Sequence, residues 1–228
     1  MVHILQKQQF SKAIGIIGGA GPMASAFLYS TLITLCQNQY GSSDYNEFPE
    51  VILASYPFTR EDPKKIRTDL SLCLTKLERA GVDLFCIASH SFHAYLPDTS
   101  SITFINLISE SLQEASRCHV SKALILAAQT TIDLKLYEQE DLQCYYPSKK
   151  DQQLVQKIIR EVAGGIITQQ QAETLKEMIS ALQHHFNGVI IACTELPLIH
   201  RRFPLLLNGL PMIDTIEVLA KKLLISSR

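Results

Sequence analysis

The sequence predicts an α/β protein made of two similar halves, and three observations carry that expectation. Short, continuously apolar, β-branched runs alternate with longer stretches of helical spacing, the pattern of parallel strands covered on both faces. An opening segment is echoed within the chain: SKAIGIIGGAGP begins at Ser11 and SKALILAAQTT at Ser121. Each opener is followed by an apolar run that stops abruptly at small polar residues. The first is LFCIASHSFHAYL, ending Ala-Ser89, and the second is GVIIACTELPLI, ending Ala-Cys193.

The elements follow in order. KAIGIIGG reads as a buried strand closed by a glycine turn, with Pro22 opening a helix near Ala24–Gln37. EVILASYP is a second strand, and Ile66–Ala80 carries apolar residues at helical spacing. VDLFCIAS is a third strand. After SITFINLI and a helix comes the strand KALILAAQ. Val155–Val162 and Gln170–His184 are helical, GVIIACT is a strand, LPMID a short one, and Thr215 to about Leu224 a closing helix. Ligands of open α/β sheets sit beyond the carboxyl ends of the strands. Ser89 and Cys193 are therefore expected to face one another across a cleft. They should stand on the order of 7–8 Å apart, two near-attack contacts of about 3.5 Å each.

Composition narrows the class. Of 228 residues, 46% are hydrophobic and 19% charged, which fits a globular enzyme and excludes a disordered chain. A net charge of −1 gives no electrostatic basis for binding nucleic acid or an anionic membrane. No apolar run reaches the ~18 residues of a membrane span, and Met1–Phe10 lacks the apolar core of a signal peptide. The six cysteines are scattered without a CxxC pair, which predicts free thiols in a reducing cytoplasm and no zinc site.

The motifs point to small-molecule chemistry. GIIGGAGPMAS has neither the GxGxxG spacing of a dinucleotide site nor the Lys-Ser/Thr of a P-loop. Gly18, Gly19 and Gly21 suit a tight turn and close backbone approach, and amides there suit a carboxylate. Cys193 ends a buried strand ahead of Thr194 and Glu195. A thiol there can act as a base if neighbours lower its value from about 8.5. Ser89 is its counterpart, and an unassisted hydroxyl is a far weaker base. His90 and His93 could assist it, but HxxH without a third ligand does not define a metal site. Cys86 reads as core, and His184-His185 as a solvated helix end.

At these residues the chain resembles the aspartate/glutamate racemase family, the cofactor-independent amino-acid racemases, from about Lys12 to about Leu224. IGIIGGAGP is similar to the family's glycine motif and ACTELPLI to its second catalytic motif. LAAQTTIDLKLYEQ is similar to its Leu-Ala-Thr-x-Gly-Thr segment, and IDTIEVLA, with Asp214, to its closing segment. The resemblance implies two pseudo-symmetric Rossmann-like domains with the site between them. It divides the chain into residues 1–100 plus 209–228 and residues 101–208. It further implies proton transfer at an α-carbon by two facing cysteines, without pyridoxal phosphate or metal, in a protein that often forms homodimers. Cys193 matches one cysteine. Where the family reads Cys-Asn-Thr-x-His, this chain reads Ser89-His90-Ser91-Phe92-His93. A lysine of some aspartate-specific members is replaced by Ala163, and a family arginine corresponds to Arg60.

The resemblance thus implies an amino-acid racemase with Cys193 as thiol acid/base and Ser89 on the opposite face. Its substrate, a small amino acid or related carboxylate, would be held by Gly19, Gly21, Arg60, His90, Ser91, Thr131, Thr194 and Glu195. Two alternatives stay open. One is an arylmalonate decarboxylase-like enzyme, in which a single cysteine protonates a carbanion. The other is a non-catalytic amino-acid-binding protein.

Overall fold

The structure, a computed structural model, describes residues 10–59, 62–97, 101–205, 207 and 209–228. Two four-stranded, all-parallel sheets organise it. The first contains β1 (Ile14–Gly18), β2 (Val51–Ser55), β3 (Leu84–Ile87) and β4 (Thr103–Phe104), in the order β2-β1-β3-β4. The second contains β5 (Lys122–Ile125), β6 (Gln143–Tyr145), β7 (Gly188–Ile191) and β8 (Met212–Asp214), in the order β6-β5-β7-β8. The two orders are the same, so the echo between Ser11 and Ser121 extends to topology. β1, β3 and β7 are buried at every position, as their uninterrupted apolar runs require.

The helices start and stop where their end residues dictate. α1 (Pro22–Tyr40) has proline in its first turn and ends at Gly41, whose φ of 71° is the left-handed conformation glycine adopts freely. In α2 (Pro63–Arg79) the Asp62 carboxylate accepts from the amides of Lys64 and Lys65. α3 (Leu107–Arg117), α4 (Gln129–Asp133) and α5 (Lys149–Ala163) follow. α6 (Gln169–Leu182) opens with a Thr168–Gln171 capping box. α7 (Leu196–Arg202) and α8 (Thr215–Ser226) complete the chain, and Asp214 caps α8 through the amides of Ile216 and Glu217.

Two differences from the sequence reading have simple causes. The three-residue edge strand β6 was not foreseen, because QCY is too short to show a period. The division at residues 100 and 208 also cuts two strands from their sheets. β4 pairs with β3 at Leu84↔Thr103, and β8 pairs with β7 at Ile190↔Ile213. Only α8 returns to the first half. There Ile216, Leu219, Leu223 and Leu224 share a core with Leu28 and Leu32 of α1. The amides of Ser11 and Lys12 donate to the Ser227 carbonyl, so the end of the chain is tied back to its beginning. All six cysteines are unpaired. Among the described residues, no helix is long and apolar enough to cross a membrane.

Candidate active site

The carboxyl ends of the inner strands converge on one cavity. Ser89 lies two residues beyond β3 and Cys193 two beyond β7, and both line it. The cavity measures about 130 Å³ of space for the centres of water-sized spheres. A single water takes roughly 10–15 Å³ on that measure, so there is room for a molecule of amino-acid size. From the first half come Ala20, Gly21, Ser89, His90 and Ser91, and from the second Thr130, Thr131, Cys193, Thr194 and Glu195. Sequence-chosen residues from distant parts of the chain therefore meet. Arg60 lies outside the described residues.

Gly19 is placed differently from its expected role. It is absent from the cavity lining, and its amide donates to the Ser25 hydroxyl at 3.2 Å, so that donor is already used. Its φ of 104° is a glycine conformation, and a Cβ there would collide with the Tyr56 backbone. Gly19 makes the turn and Gly21 does the approaching. A Cβ on Gly21 would strike Glu195 Oε1, so the glycine is needed where a carboxylate from the second half meets the first.

Glu195 organises the thiol. Cys193 Sγ donates to Glu195 Oε2 at 3.1 Å, and the Thr194 hydroxyl donates to the same oxygen at 3.1 Å. Burial pushes the Cys193 thiol well above its ordinary value, and the adjacent Glu195 carboxylate pushes it further. The backbone amides of Glu195 and Leu196, at the start of α7, oppose the rise. Cys193 is therefore a thiol and a proton donor beside Glu195. The sequence reading had allowed neighbours that favour the thiolate; the nearest charged neighbour is an anion.

The first half offers a weaker counterpart. Among the described residues none hydrogen-bonds the Ser89 hydroxyl. His93 Nδ1 lies 2.8 Å from the Ser89 carbonyl oxygen, which fixes the proton on Nδ1 and leaves Nε2 buried without a partner. Both ring nitrogens of His90 are likewise buried and unpartnered, and His90 lines the cavity. Burial lowers His90 to about 3, with His93 adding to the effect, and burial lowers His93 to about 4 against hydrogen bonds that raise it. Both rings are neutral at physiological pH. Among the described residues no group of three or more His, Cys, Asp or Glu could hold a metal ion.

Several lining residues were not singled out from the sequence: Ile66, Phe92, Tyr95, Gln156 and Ile159. Ile66 and Ile159 sit on the apolar stripes of α2 and α5, where nothing distinguishes a cavity wall from core.

Like-ordered parallel sheets whose strand ends meet at a small cavity, a thiol on one end and a hydroxyl on the other, define a two-domain α/β protein with a cavity between the halves. The sequence profile of the Asp/Glu/hydantoin racemases matches residues 17–223, and the chain belongs to that family. It is 24% identical over 222 residues to the broad specificity amino-acid racemase RacX of Bacillus subtilis (strain 168), covering 91% of this chain and 95% of that protein. An aspartate racemase homologue from Pyrococcus horikoshii OT3 superposes with a TM-score of 0.76 at 24% identity, covering 95% of this chain and 99% of the other. The aspartate racemase of Picrophilus torridus gives 0.77 at 22%, covering 95% and 94%.

Two expectations follow. Glu195→Gln removes the charge beside Cys193, so alkylation of that thiol by iodoacetamide should accelerate. Followed by peptide mass spectrometry, its pH midpoint should fall by about one unit, a tenfold gain in thiolate. An unchanged midpoint would leave burial as the only cause. For the histidines, the folded values lie below the ordinary 6.5, so the unfolded chain takes up protons first as pH falls. Stability is then full above about pH 6.5 and is lost on acidification toward pH 4, by up to about 1.4 kcal/mol per pH unit for each ring. Urea midpoints measured between pH 7 and about 5 should fall, and should fall less in the His90→Gln/His93→Gln variant.

Proposed function

We propose that the protein moves the α-proton of a free amino acid, with Cys193 as acid/base on one face of the α-carbon and Ser89 on the other, and that it needs no cofactor. The observation that carries this reading is that Ser89 and Cys193 occupy equivalent ends of equivalent strands and line the same cavity. The family relationship supplies the reaction class. Thr131, Thr194, Ser91 and backbone near Gly21 hold the α-carboxylate, and Glu195 receives the α-ammonium. That cation offsets the carboxylate beside Cys193, so substrate binding itself favours the thiolate. The Cys193 thiol gives its proton to solvent as the thiolate forms, the thiolate takes the α-proton, and the electron pair stays on the substrate as its enolate. The Ser89 hydroxyl then donates its proton to the opposite face and is reprotonated by water, while Cys193 keeps the abstracted proton.

The two faces are unequal. Cys193 has a carboxylate and two amides around it, whereas among the described residues no base is bonded to the Ser89 hydroxyl. In deuterium oxide, the enantiomer presenting its α-hydrogen to Cys193 should exchange much faster than its mirror image, as read by proton NMR. Cys193→Ala should abolish the fast exchange. Ser89→Cys should raise racemisation by tenfold or more, about 1.4 kcal/mol of barrier. If neither substitution changes either rate, the cavity binds without catalysing.

A one-thiol reading keeps some support from the protonated state of Cys193, since protonating a carbanion after decarboxylation needs only a donor. Release of carbon dioxide from an arylmalonate, with no exchange on any amino acid, would select it.

We further propose a homodimer. α1 carries no charged residue, and Met23 and Tyr29 on it are exposed. Leu53 of the edge strand β2 is exposed beside it. Large apolar side chains exposed close together suit burial against a second copy of the chain. Light scattering should give twice the 25.5 kDa chain mass, and Met23→Lys/Tyr29→Lys should return it to one.

A further inference from the structure

The cavity walls away from Cys193 and Ser89 indicate which side chain fits there. We infer, on the reading of the site as an amino-acid site, that the substrate side chain is uncharged and largely apolar rather than acidic. Ile66 of α2 and Phe92 and Tyr95 of the 3-10 turn Ser91–Tyr95 form the wall from the first half. Ile159 of α5 and Ala128 form the wall from the second. These walls continue the two cores. Ile66 and Phe92 belong to one buried cluster with Tyr95 packed on it, and Ile159 belongs to another with Ala128 packed on it.

Among the described lining residues the sole charged side chain is Glu195, an anion, and His90 is neutral. A second substrate carboxylate would enter a site where the described residues hold a like charge and no cation, and a buried charge without a partner is strongly disfavoured. Four cations adjoin lining residues in sequence, Lys65, Arg67, Lys157 and Arg160, but all four are exposed and none lines the cavity. Lys65 Nζ lies 3.1 Å from Asp69 Oδ2 and Lys157 Nζ 3.7 Å from Glu161 Oε1. Ala163, one turn beyond Ile159 on α5, supplies no charge either. Gln156 is the polar exception on the second wall, and its Oε1 is held by the Gln129 amide at 3.0 Å. A neutral amide there tolerates a neutral polar side chain and does not neutralise a carboxylate.

The test separates binding from chemistry. Leucine, methionine, glutamine, aspartate, glutamate and lysine, each in both enantiomers, are titrated into the full-length protein by calorimetry. α-Hydrogen exchange in deuterium oxide is followed in parallel. Leucine or methionine should bind at least tenfold more tightly than aspartate or glutamate, and should exchange faster if the site is catalytic. Gln156→Arg should narrow or reverse that ratio by about tenfold by adding a cation at the wall. Binding of neutral amino acids without exchange would sink the catalytic reading and leave this one standing. Preferred binding of aspartate or glutamate overturns it, and loss of that preference in Arg60→Ala would identify the cation responsible. Preferred binding of lysine, or binding of no amino acid at all, overturns it too.

Discussion

The carboxylate of Glu195 sits where the two halves touch, accepting hydrogen bonds from Cys193 Sγ and the Thr194 hydroxyl through one oxygen while the other presses on Gly21. Much of the site depends on that placement. It explains why Gly21 has no side chain, since any Cβ would displace the carboxylate and the thiol it holds. It explains why Cys193 is a thiol, since burial and a neighbouring anion act in the same direction. Among the described lining residues Glu195 is the sole charge, which is why an ammonium suits the proposed site better than a second carboxylate.

This interaction is possible only because two parallel sheets of identical order point their strand ends at each other. A parallel sheet buries both faces, so its free chemistry is pushed to the ends of the strands. β3 and β7 are each four residues long and wholly buried, and each leaves the sheet through alanine into a polar residue. The equivalence of the two ends is structural and stops there. After Cys193 the chain supplies a carboxylate and turns into α7. After Ser89 it supplies two buried neutral imidazoles, one of them bonded to the Ser89 carbonyl instead of its hydroxyl. Matching backbones therefore present unmatched acid–base groups.

How much of this is legible in the sequence depends on the kind of signal. The strands β1, β3 and β7 are legible because full burial writes an unbroken apolar run, β5 because only its first residue, Lys122, is exposed, and the strand ends are legible because the run stops. The α1 start is written in Pro22. The edge strand β6 is not, because three residues cannot display a period. Gly19 and Gly21 look alike in the sequence, and only the backbone separates a turn at φ 104° from a close approach to Glu195. Ile66 and Ile159 carry the same letters as any core residue on an amphipathic helix. Their role as walls depends on the cleft between the halves, which no local pattern encodes.

The state of Cys193 shows why a motif alone underdetermines chemistry. Ala-Cys193-Thr194-Glu195 states which groups are adjacent in sequence but not which way each points. Had the Glu195 carboxylate turned to solvent, the amides at the start of α7 would have remained to favour the thiolate. Turned inward, it accepts the thiol proton in a hydrogen bond and raises the energy of the anion. The same carboxylate becomes an aid once a cation neutralises it, so the basicity of Cys193 is a property of the loaded site and not of the chain by itself. In the proposed reaction, an ammonium fixed to the α-carbon delivers that cation only when the hydrogen to be removed is delivered with it. The proposed mechanism thus couples recognition of an amino acid to the ionisation of Cys193.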